Sequence, residues 1–193
     1  MSMLLSMAAF ALASSITPGP VNVVALGNGA RHGVAASMPH VTGATVGFTL
    51  LLLLTGLGLH ELLLQLPWLT GAIRWAGIAF LIYMAWKLAL DSGELDAYAT
   101  LKKPSMSQGA AMQWLNPKAW LASVAGMGMY ASDGDAGAVW LFGGIYFVVC
   151  YLSIASWVLA GSFLQQYLRA PNRVRLFNRV MAATLVVSVL YLL

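Results

Sequence analysis

The chain has 193 residues, of which 60% are apolar and only 8% charged, with a mean hydropathy of +0.80. A soluble domain carries roughly a quarter charged residues, so most of this surface must face lipid, which excludes soluble enzymes, disordered regulators and secreted disulfide scaffolds. The net charge of +4 therefore reads as topology rather than nucleic-acid binding, and the lone Cys150 with three scattered histidines makes neither an internal disulfide nor a closed metal site.

Stretches long enough to cross a hydrocarbon layer about 30 Å thick, at about 1.5 Å per residue, occur six times. They run over residues 3–26, 39–60, 68–90, 113–131, 137–163 and 176–193. The fold class expected is an all-α integral membrane protein, one membrane domain over 1–193. The longest break, 91–112, holds Asp91, Glu94, Asp96, Lys102, Lys103 and Pro104, and divides a first three-helix half, 1–90, from a second, 113–193.

Basic residues near membrane ends stay on the cytoplasmic side. Arg31 lies in the first break, Lys87, Lys102, Lys103 and Lys118 around the third, and Arg169, Arg173, Arg175 and Arg179 around the fifth, nine of the ten Lys and Arg. The second break has only Arg74 within reach and the fourth has Asp133 and Asp135 instead. The odd breaks are thus expected in the cytoplasm and both chain ends outside it. The N-terminal span contains Ala11-Leu12-Ala13, but no basic segment precedes it, so it reads as a span and not a cleaved signal. With three helices in each half, the halves enter from opposite faces, giving two inverted-topology repeats, an arrangement common in secondary transporters.

In chain order, the first span is interrupted by Thr17-Pro18-Gly19-Pro20. Pro18 and Pro20 lack N–H groups, which releases the carbonyls of Ser14 and Ile16, and Gly19 relaxes the backbone. The helix is expected to kink or unwind there. An unpaired backbone group in lipid costs several kcal/mol, about the cost of burying any unbonded amide, so such a break must line an interior. The second span carries Gly43 and Gly47, small residues that let helices approach closely, as Gly126, Gly128, Gly143, Gly144 and Gly161 do later. His40 and His60 fall near the two ends of that span. Trp68, Trp75, Trp86, Trp140 and Tyr167 fall near span ends, where amphipathic rings settle at headgroups. The fourth span is interrupted by Asn116-Pro117-Lys118-Ala119, where Pro117 releases the carbonyl of Gln113; Trp114 and Trp120 flank it, as packing or belt residues or as the border of a substrate.

Released carbonyls attract a cation, and the N–H groups opening the next half-helix attract an anion. A zwitterion satisfies both. Lys118 adds a positive charge for a carboxylate, and Asn22 adds a donor and an acceptor. None of the six carboxylates falls at mid-span, so an acidic proton relay is not visible; a coupling proton or ion is left to a histidine, the solute or an edge acid such as Glu61. Paired acids for an aspartyl protease and a His-Glu metal motif are likewise missing, so no enzyme and no cofactor is implied.

Thr17-Pro18-Gly19-Pro20 with Asn22, Gly43 and Gly47, Trp75-Ala76-Gly77 leading to Tyr83-Met84-Ala85-Trp86-Lys87, and Asn116-Pro117-Lys118-Ala119 together resemble the lysine-exporter and homoserine/threonine-exporter (LysE/RhtB-type) family. The resemblance spans nearly the whole chain. It implies a bacterial cytoplasmic-membrane exporter of amino acids or close derivatives, driven by an ion gradient. It also implies a substrate-binding role for Thr17, Pro18, Gly19, Pro20, Asn22, Asn116, Pro117 and Lys118. Val21 departs from the polar residue that many relatives place after the second proline. The pattern of the third span is closest to the branch that looks like cysteine and O-acetylserine exporters, whereas the lone Cys150 sets the chain apart from the branch that moves electrons through paired cysteines, and no ligand cluster matches the cadmium exporters. The partners implied are a small amino-acid substrate and the bilayer, not nucleic acid; the homo-oligomeric state is left open. The rival reading is a non-transporting membrane scaffold or accessory subunit whose kinks only shape packing.

Overall fold

The computed structural model describes residues 2–59, 65–90, 104–131, 135–164, 167 and 170–190. Among these residues the fold is all-helical. Its helices are α1 (Met3–Ile16), α2 (Pro20–Leu54), α3 (Pro67–Ala89), α4 (Met106–Trp114), α5 (Pro117–Tyr130), α6 (Ala136–Leu164) and α7 (Pro171–Leu190), with a π-helical turn, Thr55–Leu59, after α2.

Proline sets where many of these helices begin. Pro20, Pro67, Pro117 and Pro171 each open a helix, the position where a missing N–H costs nothing and a fixed φ is already helical. At Thr17–Pro20 the helix was expected to kink or unwind; here Pro20 and Pro117 each start a new helix, so both interruptions are complete breaks. Side-chain caps start others. Ser105 Oγ accepts from the Gln108 N–H at 3.2 Å, and Asp135 Oδ1 accepts from the Gly137 N–H at 2.8 Å. The Ser105 cap explains why the fourth span begins at Met106 and not at 113, inside the segment read as a linker.

The expected loop over 27–38 is also helical, except at Gly33. Gly33 has φ 77° and ψ 177°, a conformation reserved for glycine, and divides α2 into α2a (20–32) and α2b (34–54). Glycines then set the closest helix contacts. A Cβ on Gly43 would strike the Met106 carbonyl, and one on Gly109 would strike the His40 carbonyl, so α2b and α4 meet backbone to backbone. Gly29 and Gly161 do the same for α2a and α6, against Val158 and Leu26. Gly126 and Gly143 make room for the Phe142 and Leu53 side chains. Gly128 and Gly144, expected to act alike, have open space where a Cβ would sit and take no part in packing.

Helix α2 is the spine, packed on α6 and α4, while α1 lies on α6 and α3 pairs with α7. The main core joins Met7 and Ala11 of α1 with Phe48, Leu51 and Leu52 of α2b and Phe142, Tyr146 and Ile154 of α6. A second cluster, with Ile78, Ala85, Met181 and Leu185, holds α3 to α7. Outside the core the protein is apolar again: Trp68, Trp75, Trp86, Trp140 and Tyr167 are all exposed.

Two helical stretches among the described residues, Pro20–Gly58 and Ala136–Leu164, are long and apolar enough by length and composition to cross a membrane. Physical reasons keep three of the others from qualifying. Helix α1 stops after 14 residues at the Thr17–Gly19 break, and α4 stops after 9 at Leu115–Asn116. Helix α7 carries Arg173, Arg175 and Arg179 in its first turns.

Candidate functional site

Breaking a helix releases peptide groups, and their new partners define this site. After Ile16 the chain runs extended through Thr17 and Gly19 before Pro20 starts α2. The Thr17 hydroxyl donates back to the Ala13 carbonyl. The Asn22 side-chain amide donates to the Ser15 carbonyl at 2.7 Å and to the Thr17 carbonyl at 2.9 Å. Trp157 of α6 donates its indole N–H to the Ile16 carbonyl at 3.0 Å, and the Val23 N–H reaches the Gly19 carbonyl at 2.9 Å. The Ile16 carbonyl, released by Pro20, is thus held by a side chain from another helix.

The second break is closed more locally. Pro117 releases the Gln113 carbonyl, which accepts from the Asn116 N–H at 3.1 Å in a tighter turn. Asn116 Oδ1 then accepts from the Lys118 N–H at 3.2 Å and caps α5. Trp120 donates to the Trp114 carbonyl at 2.8 Å, and Trp114 to the Gly47 carbonyl at 3.1 Å. The two indoles meet edge to face at 6.0 Å. They brace the break against α2b and do not line the cavity beside it.

One contact joins the breaks. The Lys118 ammonium donates to the Thr17 carbonyl at 2.9 Å across 101 residues of sequence. Gly19 lies beneath the Lys118 side chain, with room for a Cβ at ordinary contact distance and for little more. Its φ of −167° is extended backbone that any residue adopts, so its smallness, not its flexibility, is what the site uses.

Beside this contact lies a cavity of about 40 Å³ that both halves line. Gly19 and Asn22 come from the first break, Gln113, Asn116 and Lys118 from the second, with Phe48 and Tyr146 beyond them. One buried water needs roughly 10–15 Å³ and two to four polar partners, so the cavity holds a few waters as it stands and must widen for a metabolite.

Of the residues expected at the site, Gly19, Asn22, Asn116 and Lys118 line this cavity. Thr17 contributes its carbonyl, and Pro18, Pro20 and Pro117 shape the two breaks without lining it. Asn22 and Asn116 are buried, at 5% and 6% exposure. Sequence reasoning missed Ser14, Ser15, Gln113, Tyr146 and Cys150, all in the lining. The signal for three was there: Ser14, Ser15 and Gln113 are polar residues within five positions of a helix-breaking proline. Tyr146 and Cys150 sit in an unbroken apolar helix, and nothing local marks them. Arg74's side chain, His60 and Glu61 lie outside the described residues.

His40 is a correction. It was read as an interfacial residue near the end of its span, yet it is fully buried and neither ring nitrogen makes a hydrogen bond of ordinary geometry. It sits on α2b where Gly109 of α4 packs against its own carbonyl.

Residues 12–193 match the family described as LysE type translocator. A cysteine/O-acetylserine efflux protein of Escherichia coli O1:K1 is 29% identical over 92% of this chain and 90% of its own length. The cysteine/O-acetylserine efflux protein of Escherichia coli strain K12 is 28% identical over the same shares. That of Escherichia coli O157:H7 is 28% identical over 85% of each chain. No solved structure matches. With the family match running from within α1 to the last residue, and both broken motifs inside it, the chain belongs to the LysE type translocator family, a family of membrane transport proteins.

Proposed function

We propose that this protein is a secondary transporter that exports small zwitterionic amino acids or close derivatives from the bacterial cytoplasm across the inner membrane by alternating access. The observation that carries the reading is the Lys118–Thr17 bond beside a cavity built from both breaks. Six crossings follow when α1 with α2a counts as one span, α2b as the second, α3 as the third, α4 with α5 as the fourth, and α6 and α7 as the last two. Three plus three gives halves of opposite orientation, 1–90 and 113–193, the second drawn back to Met106. Both termini then lie outside the cytoplasm.

The mechanism follows from an exchange of partners. In this arrangement the Lys118 ammonium holds the Thr17 carbonyl. An arriving α-carboxylate is a stronger partner for an ammonium than a neutral carbonyl, because both groups are charged. Lys118 swings to it, and the Thr17 carbonyl, which keeps its bond to Asn22, has its second lone pair open to the solute's own ammonium. The bond between the halves is thereby broken by the solute itself. In the first turn of α2, Pro20 has no N–H and that of Val23 is held by the Gly19 carbonyl, which leaves the N–H groups of Val21 and Asn22 as further donors to the carboxylate. Similarity to cysteine/O-acetylserine efflux proteins points to short-chain substrates of that chemistry.

The test is counterflow in proteoliposomes with labelled cysteine, O-acetylserine and serine, with and without a pH gradient. Uptake of at least one of them, abolished in Lys118→Ala, is the expected result. A folded protein that carries none of them, nor any other neutral amino acid, overturns the reading in favour of a scaffold. Tags on both termini reachable from outside the cell check the orientation.

A further inference from the structure

Two buried rings form a part of the cavity that the exchange of charged partners does not use. Phe48 of α2b and Tyr146 of α6 both line it, at 3% and 2% exposure, with ring centroids 4.4 Å apart and planes inclined by 29°. Phe142 packs edge-on against the Tyr146 ring at 5.6 Å, and Tyr130 of α5 backs Phe142 at 5.0 Å. Tyr146 is therefore held between aromatic neighbours, and Phe48 is held by Tyr146. Further along the same face of α6, one and two turns on, Cys150 and Ile154 continue the lining.

This wall contrasts with what faces it. The strands of chain at Thr17–Gly19 and Leu115–Asn116 are breaks held by side-chain hydrogen bonds, which a solute replaces. Stacked rings in a close-packed core have no such alternative, because moving one leaves a void against the next. When the cavity widens, the breaks yield and the rings stay. Ser15 adds a polar feature to the same space: its hydroxyl is buried, lines the cavity and makes no hydrogen bond of ordinary geometry. The Tyr146 hydroxyl and the Cys150 thiol lie close enough to interact with it, so Ser15 is a polar point on this wall.

We infer that Phe48 and Tyr146 are the size-limiting wall for the solute side chain, with Ser15 as its polar contact, so that the protein accepts amino acids with short, unbranched side chains and rejects branched and aromatic ones. The inference rests on the cavity being the solute site. A contact worth one methylene in an apolar pocket discriminates by about 10–200-fold. Removing a whole ring therefore has a large effect on which solute passes.

The experiment is counterflow with the purified full-length protein in proteoliposomes, using labelled L-serine, L-alanine, L-leucine and L-phenylalanine as probes. Wild-type protein is expected to carry serine at least about tenfold faster than either larger amino acid. Tyr146→Ala and Phe48→Ala are expected to raise the leucine-to-serine ratio about tenfold or more. Phe48→Leu is a milder variant that keeps the helix contact and is expected to shift the ratio in the same direction if the alanine variants do not fold. Ser15→Ala is expected to lower serine transport relative to alanine transport. Wild-type protein that carries leucine as readily as serine overturns the size limit. So do folded ring variants that carry serine with an unchanged ratio. Wild-type protein that carries no amino acid fails the export reading itself, and the wall with it.

Discussion

Lys118 and Thr17 are 101 residues apart in sequence, and the ammonium of one donates to the backbone carbonyl of the other at 2.9 Å. The acceptor exists only because the first helix is broken, and the donor stands where it does only because the second helix restarts at Pro117. Each break thus supplies what the other lacks. The same carbonyl also accepts from Asn22 at 2.9 Å, so losing Lys118 does not leave it bare.

Lys118→Met is therefore expected to abolish transport while costing only about 1 kcal/mol of stability, the scale of a single replaceable hydrogen bond. Thermal unfolding in detergent alongside proteoliposome counterflow checks this. A large fall in melting temperature with residual transport proportional to folded protein would make Lys118 a structural strut only.

Asn22→Ala removes two donors from a buried site at once and leaves the Ser15 carbonyl without the partner it has now. A loss of about 2–4 kcal/mol is expected, the sum of about 1–3 kcal/mol for the one carbonyl left unsatisfied and about 1 kcal/mol for the second hydrogen bond lost. Pro20→Ala should cost less than about 1 kcal/mol and leave the break in place, because Asn22, Lys118 and Trp157, not the proline, hold the released carbonyls. Comparing the two variants by thermal melting decides between them; a Pro20→Ala protein more damaged than Asn22→Ala contradicts this account.

Gly19→Ala should transport nearly as wild type, since an added Cβ meets the Lys118 side chain at 3.4 Å, an ordinary contact. Gly19→Leu should reduce transport strongly by pushing Lys118 away from the Thr17 carbonyl. Rates for the pair, read at equal protein reconstitution, test whether the room under Lys118 matters.

Gly43→Leu is expected to prevent stable folding, because its side chain would occupy the space of the Met106 backbone and force α2b from α4. Gly128→Leu, where nothing lies within 4 Å, should be close to neutral. Gly33→Ala is intermediate: the space is open, but its positive φ of 77° makes any side chain cost about 1–3 kcal/mol. Yield of monodisperse protein in detergent ranks the three.

Much of the site was legible in the chain itself. Proline without an N–H, in a chain whose surroundings offer no water, forces a polar interior wherever it breaks a helix, and Thr17-Pro18-Gly19-Pro20 and Asn116-Pro117-Lys118 mark both places. Their pairing with Asn22 follows from one turn of helix. What local chemistry could not give was the extent of each break: Pro20 and Pro117 begin helices and do not bend them, and the Ser105 cap lengthens the fourth span back to Met106.

The sequence by itself determined that the chain is a helical membrane protein with two proline-marked interruptions, because composition and backbone hydrogen-bonding rules act locally. Only the tertiary structure decided that the interruptions meet and that Lys118 crosses from one to the other. It also decided that His40 is buried and that Tyr146, Cys150 and Phe48 wall the cavity. An apolar helix such as α6 looks the same on every side in sequence, and which face turns inward is settled by the backbone contacts at Gly29 and Gly161, which bring α2a against it.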